Sequence, residues 1–386
     1  MLPSLGQIPF LKHLRISDLV GLPSIGAEFY KNGESCWEAP FPSLETLHFN
    51  RVSFWKEWHS TERNAFPLLK ELNMSDCSLL AGDLPDHLPS LEKLTVIGCK
   101  QLACSLPRAP MLSQLSILGS EKVRMQELPL SLCSLQVGGS DLVESVMEAI
   151  SHSGPNCLRN LAISKCSSAV SFPGACMLAS LLTLEITDCK RIDSQCNKHR
   201  CFSLNSLFFN HLGCASLMSF STLPQLQLLT IERCPEIDSF PDSLPPKLRQ
   251  LCIRNCKKLV RFLATMDIHS HSLIHLHIEG ACESVKSFPN ENFLLPSLKS
   301  LYLQGFTSLE TLDCKGLSRF ASLRKLTISD CPKLENMEGG KLPISLIQLT
   351  ISESPLLGRR CEMKDSQIWP KISHIHCIKV DQRRIW

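Results

Sequence analysis

The chain lacks long apolar runs and a strong excess of either charge. Its 386 residues contain no stretch of about 18 consecutive apolar residues, the minimum for a helix that crosses a bilayer. The 40 basic and 37 acidic residues leave a formal net charge of only +3. Composition therefore offers no electrostatic reason to bind nucleic acid or an anionic membrane. The opening residues show neither a basic leader with an apolar segment nor a cleavage site, so we expect no secretory signal.

Motifs of catalysis and cofactor binding are also missing. The phosphate-binding pattern G-x-x-x-x-G-K-[ST] does not occur, since residues 339–342 (GGKL) lack the first glycine and the hydroxyl residue. No nucleophile, base and orienting group form a recognisable set. Four histidines lie at 269, 271, 275 and 277, but the first two fall in a loop before the strand of the others, and we expect no metal site. The sequence predicts a non-enzymatic protein without cofactors.

One pattern runs through the whole chain and predicts its fold. Leu-x-x-Leu-x-(Ile/Val/Phe), followed by a cysteine or small apolar residue, occurs about 16 times at a mean spacing of about 24 residues. The repeats start at Leu11, Leu44, Leu69, Leu91, Leu112, Leu132, Leu158, Leu181, Leu204, Leu226, Leu248, Leu273, Leu298, Leu323, Leu346 and Ile372. The last two apolar residues of each block lie two positions apart, so both point to one face of a short strand. Repeats of this length must stack to bury their leucines.

The predicted fold is an α/β repeat, a right-handed leucine-rich-repeat solenoid (horseshoe) with a parallel β-sheet on its concave face. Prolines interrupt the short return segments, which predicts mostly loops and short helical turns on the convex face. One helix is expected at 140–150, with Ser140 as its N-cap. A single domain of about 16 repeats is predicted for 1–386, with an insertion at 23–43 and a closing repeat at 358–386.

Cysteine is abundant, at 20 residues, and part of it follows the repeat. Seven cysteines lie eight positions after a repeat start: Cys77, Cys99, Cys166, Cys189, Cys234, Cys256 and Cys331. We expect them to form a buried ladder in which each thiol donates weakly to a backbone carbonyl of the next repeat. Without an export signal, we also expect these thiols to stay reduced.

Several segments resemble a known receptor family. They are LGQ at 5–7, IGAEFY at 25–30, FPSLE at 41–45, WKEW at 55–58 and WPKI at 369–372. Together with the recurrent cysteine-containing blocks, they resemble the leucine-rich-repeat region of plant coiled-coil-type nucleotide-binding disease-resistance receptors. The resemblance implies a cytoplasmic recognition and autoregulatory domain that binds pathogen effectors or host proteins, and that contacts the receptor's nucleotide-binding module. The coiled-coil and nucleotide-binding domains of that family are absent from this sequence, so we expect a partial or truncated receptor.

Candidate protein-binding residues follow from the register of the repeat. The residue four positions after each start is expected on the concave face, where side-chain chemistry varies while the buried leucines stay constant. The candidates on this face are Arg15, His48, Glu185, Phe208, Glu232, Arg254, His277 and Tyr302. Phe208 and Tyr302 are the expected interface anchors, since aromatic side chains dominate binding energy at protein interfaces.

A second candidate surface is basic. The segment 247–261 holds six Lys or Arg residues and no Asp or Glu, and from it we selected Lys257 and Lys258 for docking an acidic surface. Two other readings remain open at this point. A substrate-recruiting leucine-rich-repeat adaptor of a ubiquitin ligase needs a helical adaptor box before the first repeat, and a receptor-kinase ectodomain needs a signal peptide and capping cysteine pairs.

Overall fold

Two compact units make up the chain, Met1–Cys196 and Asn197–Trp386. The structure, a computed structural model, describes residues 2–31, 39–59, 64–125, 127–152, 157–172, 180–192, 203–214, 217, 223–240, 243–265, 268–280, 285–289 and 293–386. Among the described residues, no helix is long and apolar enough to span a membrane.

The first unit is built on a sheet of consecutive parallel strands. Their bounds are His13–Ser17, Thr46–Asn50, Glu71–Ser75, Lys93–Ile97, Gln114–Leu118, Ser134–Gly138, Asn160–Ser164 and Thr183–Thr187. Each strand pairs with the next in identical register, so that Leu14 lies beside Leu47 and Leu47 beside Leu72. The register continues unbroken to Leu161 beside Leu184. The spacing of the leucines thus becomes the spacing of the strands.

The second unit repeats this arrangement. Its parallel strands are Ser206–Asn210, Leu228–Glu232, Gln250–Arg254, His275–Glu279, Ser300–Gln304, Lys325–Ser329, Gln348–Ser352 and Cys377–Val380. Arg383–Arg384 adds a short antiparallel strand to the last of these. Leu229, Leu251 and Leu276 align across neighbouring strands and are 0–3% exposed. At about 2 kcal/mol or more for each buried leucine, this apolar face is the main source of stability.

A residue with positive φ follows almost every strand and turns the chain towards the core. Examples are Asp18 (φ 58°), Asp76 (φ 56°), Lys165 (φ 55°) and Asp330 (φ 51°), and glycine occupies the same place at Gly98 (φ 68°). The amide of Asp18 donates to Asn50 O over 2.9 Å, and that of Asp330 donates to Ser352 O over 3.1 Å. The turn therefore extends the sheet ladder by one hydrogen bond per repeat. The sequence analysis missed this position because several residue types occupy it.

The return segments hold more regular structure than predicted. Two-residue or three-residue strands pair there, as Ser287–Phe288 does with Thr311–Asp313. The predicted helix is confirmed at Ser140–His152, but Ser140 is its first residue, and its hydroxyl oxygen accepts from Ser167 N at 2.9 Å instead of capping the helix. Further helices span Ala27–Tyr30, Lys257–Thr265, Cys314–Ser318, Pro355–Glu362 and Trp369–Ile372, with a 3₁₀ turn at Leu5–Gln7. The short ones are the helical turns that the sequence predicts, and Lys257–Thr265 and Pro355–Glu362 are helices beyond the one expected.

The last repeat is shifted from its predicted register. Leu349 pairs with Ile378 and Ile351 with Val380, so the apolar pattern starts at Ile375 and not at Ile372. Ile372 instead ends the helix Trp369–Ile372. Both starts match the apolar spacing, and the helix decides between them because it removes residue 372 from the strand segment. Lys379, and not His376, consequently lies beside Thr350.

The seven ladder cysteines are all buried, at 0–1% exposure, and all are free thiols. Their hydrogen bonds differ from the prediction. Each Sγ donates to the carbonyl two residues earlier in its own repeat, as Cys256 does to Arg254 O at 3.1 Å. Cys256 also lies 3.6 Å from Ile231 O of the preceding repeat and accepts from Cys234 N at 3.3 Å. The ladder therefore links a repeat to the one before it, because the thiols lie where the chain has just left its strand. Burial raises the pKa of the Cys331 thiol to about 11.

Candidate functional site

Five of the predicted binding residues lie together on the solvent side of the second unit's sheet, which we call the sheet face. Phe208 aligns with Thr230, Thr230 with Cys252, Cys252 with His277, and His277 with Tyr302. Glu232 and Arg254 form a parallel row two residues further along these strands. Because adjacent strands are about 4.8 Å apart, the row from Phe208 to Tyr302 spans roughly 20 Å.

The aromatic row contains one direct ring contact. The rings of His277 and Tyr302 are 4.2 Å apart at an interplanar angle of 46°. The Tyr302 hydroxyl donates to Gln304 Oε1 at 2.9 Å, which fixes the ring upright on the sheet. Phe208 and Tyr302 are both half-buried. A rigid aromatic side chain of this kind loses little entropy on binding.

The charged row beside it carries an arginine between two glutamates. Arg254 aligns with Glu232 on one side and Glu279 on the other. Arg254 Nε lies 3.4 Å from Glu279 Oε2, and His277 Nε2 lies 3.5 Å from the same oxygen. Neither nitrogen has a hydrogen-bond partner of good geometry in the described part of the chain. Both nitrogens are themselves buried, and their contacts with Glu279 hold the two side chains on the sheet.

Burial, together with the positive charge of Arg254, lowers the pKa of His277 despite the opposing effect of Glu279. The imidazole is therefore neutral at pH 7 and presents an uncharged ring beside Tyr302. The sheet face of the second unit thus combines two aromatic side chains, a neutral histidine and one arginine between carboxylates. This is the composition of a protein-binding surface, in which aromatics and arginine are enriched.

The first unit holds the other sheet-face candidates. Arg15 and His48 are neighbours on adjacent strands. Arg15 Nε donates to Ser17 Oγ at 3.2 Å, and His48 Nε2 lies 3.7 Å from Glu71 Oε1. Glu185 is exposed on Thr183–Thr187, the last of the strands given above for this unit. Within this unit the candidates therefore form a pair and a separate residue.

The cations of the basic segment 247–261 lie on different elements, and their docking of an acidic surface stays a prediction. Arg254 lies on the sheet face. Lys257 and Lys258 begin the helix Lys257–Thr265, where Lys258 Nζ is 2.8 Å from Glu236 Oε2. Lys247 lies before its strand and donates to Gln225 Oε1 at 2.7 Å. The apolar residues Leu259, Val260 and Leu263 are buried and turn this segment into a helix. The helical spacing of these apolar residues was not recognised, because the segment was interpreted by its charges.

Two functional neighbours were missed by sequence reasoning. Glu279 and Gln304 lie in the charged row and contact Arg254, His277 and Tyr302. Their signal is the position six after each repeat start, which points to the same face as position four. No cluster of three or more metal-ligating side chains occurs among the residues that the structure describes.

The identical register of buried leucines on successive parallel strands defines the chain as a leucine-rich-repeat solenoid protein. No family model matches the sequence. Disease resistance RPP13-like protein 1 of Arabidopsis thaliana is 37% identical over 204 residues, which cover 49% of this chain and 19% of that protein. A second disease resistance protein of Arabidopsis thaliana is 33% identical over 337 residues, 67% of this chain and 24% of that protein. The chain therefore spans about a fifth to a quarter of the length of these relatives.

These similarities confirm the predicted resemblance to the leucine-rich-repeat region of plant disease-resistance receptors. Among solved structures, the chain is similar to CroV588, a circular leucine-rich-repeat protein, with a TM-score of 0.42 and 15% identity over 81% of this chain and 60% of that one. The fold assignment itself rests on the strand register described above.

Proposed function

We propose that this chain is the recognition and autoregulatory repeat region of a plant immune receptor that acts in the cytoplasm. In this proposal the sheet face of the second unit binds a pathogen effector or a host protein. Partner binding shifts the receptor away from an inactive state, in which the repeats also contact its nucleotide-binding module. A partner produces such a shift only through its different affinity for the two states. The chain is then part of a longer receptor, and neither catalysis nor a cofactor is required of it.

The row Phe208 to Tyr302, with Arg254 and Glu232 beside it, is the observation that carries the proposal. The half-buried Phe208 and Tyr302 share this row with His277, and Arg254 lies beside it between the carboxylates of Glu232 and Glu279. Truncation of such anchors at an interface costs about 2 kcal/mol or more each. Similarity to plant disease-resistance proteins supports the choice of partner class.

Binding of purified proteins to variants of the full chain tests the proposal. Purified secreted pathogen proteins and purified host proteins are measured one by one against residues 1–386 by biolayer interferometry. For a partner that binds, we expect Phe208→Ala/Tyr302→Ala to weaken the affinity about 1,000-fold, since two anchors of about 2 kcal/mol each are lost. Ile344→Ala is the matched control, because this side chain is 93% exposed in the same unit and lies off the sheet face. Affinity that the double variant leaves unchanged would contradict the assignment of this face.

A further inference from the structure

The two units differ in the charged residues found where their strands begin. In the first unit, acidic and basic residues alternate from strand to strand at the positions where the strands begin. Glu45 lies between Lys12, at 3.3 Å, and Lys70, at 2.9 Å. Glu71 and Lys93 pair on neighbouring strands at 2.9 Å. Hydrogen bonds from Lys70 and Lys12 lower the pKa of Glu45. Lys12, Lys70 and Lys93 are therefore neutralised by glutamates of the same unit.

In the second unit, the same register positions hold cations without acids. For each of the parallel strands given above for this unit, from Ser206–Asn210 to Cys377–Val380, neither the residue just before the strand nor its first residue is Asp or Glu. The cations at these positions include Arg249, Lys299 and Arg324, and Lys247 lies two residues before Arg249. All four are exposed. Arg249, Lys299 and Arg324 form no ion pair within the described part of the chain. Lys299 and Arg324 lie on adjacent repeats, about one strand spacing apart, where like charges repel.

A groove of about 610 Å³ runs along this edge, and we call it the edge groove. Its charged and ionisable lining residues are Lys247, Arg249, Lys299 and His271. Most of the other lining residues carry hydroxyls or amides, as Ser272 and Gln227 do, and Pro246 and Ile274 are apolar. Among the described residues, no Phe, Tyr or Trp lines the groove. The groove crosses about five repeats, or roughly 19 Å at the usual strand spacing.

We propose that the edge groove binds an acidic peptide segment, rich in Asp or Glu, in an extended conformation. An extended segment of about six residues matches the length of the groove, at about 3.3 Å per residue. Arg249 and Lys299 are two repeats apart, about 10 Å, which lies between the spacings of about 7 and about 13 Å for carboxylates two and four residues apart on one face of such a segment. The serine and glutamine side chains supply hydrogen bonds for the peptide backbone.

The chemistry of the lining favours a peptide over a nucleic acid. Proteins that bind single strands combine a basic groove with aromatic side chains on which bases stack, and the edge groove has none of these aromatics. Its volume and length also exceed what a single phosphate group fills. The edge groove lies beside the sheet face and shares neither Phe208 nor Tyr302 with it, so this inference does not rest on the proposed function.

Fluorescence anisotropy of a labelled acidic peptide tests the inference with the full chain. The probe is a twelve-residue peptide of alternating Glu and Ala, and the reference probe has Gln in place of Glu. Arg249→Gln/Lys299→Gln is expected to weaken binding of the Glu peptide about tenfold or more, since truncated charge contacts lose affinity and salt dependence together. Lys333→Gln/Lys341→Gln removes the same charge from two exposed side chains elsewhere in the unit and should leave the affinity unchanged.

Two further measurements separate the possible outcomes. Affinity for the Glu peptide should fall as NaCl rises from about 50 to about 200 mM, and the Gln peptide should not bind. Phe208→Ala/Tyr302→Ala should leave peptide binding intact, which separates failure here from failure of the sheet-face assignment. Equal binding by the edge-groove variant and the wild-type chain would overturn the proposal. Tighter binding of inositol hexakisphosphate or of a twelve-residue oligothymidine than of the Glu peptide would also overturn it, in favour of a phosphate ligand.

Discussion

Replacement of one ladder cysteine tests how the repeats are joined. Cys256 is fully buried and acts on three backbone groups: its Sγ donates to Arg254 O and Ile231 O and accepts from Cys234 N. Alanine at this position removes all three contacts and leaves the buried Cys234 amide without a partner. An unsatisfied buried amide costs about 1–3 kcal/mol, and the small void left by the sulfur adds about 1 kcal/mol. We therefore expect Cys256→Ala to lower the free energy of unfolding by about 2–4 kcal/mol.

Serine should be tolerated at the same position, because the chain already uses it there. Ser120 and Ser354 lie at the ladder position of their own repeats and are buried. They accept from Cys99 N at 3.0 Å and from Cys331 N at 3.1 Å. Cys256→Ser retains a donor and an acceptor, so its expected cost is below about 1 kcal/mol.

Two measurements decide the case. Urea unfolding followed by circular dichroism gives the global change for each variant, and hydrogen exchange of the Cys234 amide reports the local contact. Because the chain has two compact units, each transition is fitted separately and the second unit is compared between variants. Equal stability of the alanine and serine variants, within about 0.5 kcal/mol, would refute the reasoning, since the thiol would then act by volume alone.

Two further perturbations follow from the same turn and ladder. The free energy of unfolding should fall as pH rises from about 9 to about 11, because burial raises the pKa of Cys331 to about 11. The unfolded chain therefore releases thiol protons that the folded chain retains. Urea titrations at pH 8 and pH 10.5 measure this fall in stability, and Cys331→Ser should make it smaller. Gly280→Ala should destabilise the chain by about 2 kcal/mol, since φ is +144° there and an added Cβ lies 3.2 Å from the Asn255 backbone. Asp330→Gly, at φ 51°, should change the free energy of unfolding by less than about 0.5 kcal/mol. Similar shifts of the melting temperature for both variants would contradict this account.

The candidate site shows which part of a binding surface a repeat sequence reveals. Phe208, His277 and Tyr302 were found from their position after each repeat start, and the structure aligns them across neighbouring strands. Their contacts with Glu279 and Gln304 were not found, since a register position states which face a residue occupies but not which neighbour it reaches. The docking role of Lys257 and Lys258 stays a prediction, and the structure places both at the start of the helix Lys257–Thr265, which the run of charges did not reveal.

Leucine spacing alone determined the strands, their buried face and the ladder position of the cysteines. This was possible because each repeat meets the same neighbours as the one before, so that a local pattern has a single global solution. Only the tertiary structure decided the return segments, the helix Lys257–Thr265, the start of the last repeat at Ile375 and the backward direction of the thiol hydrogen bonds. These depend on what lies beside each segment in the neighbouring repeat, and the same is true of the cations at the strand beginnings, which are paired in the first unit and unpaired in the second.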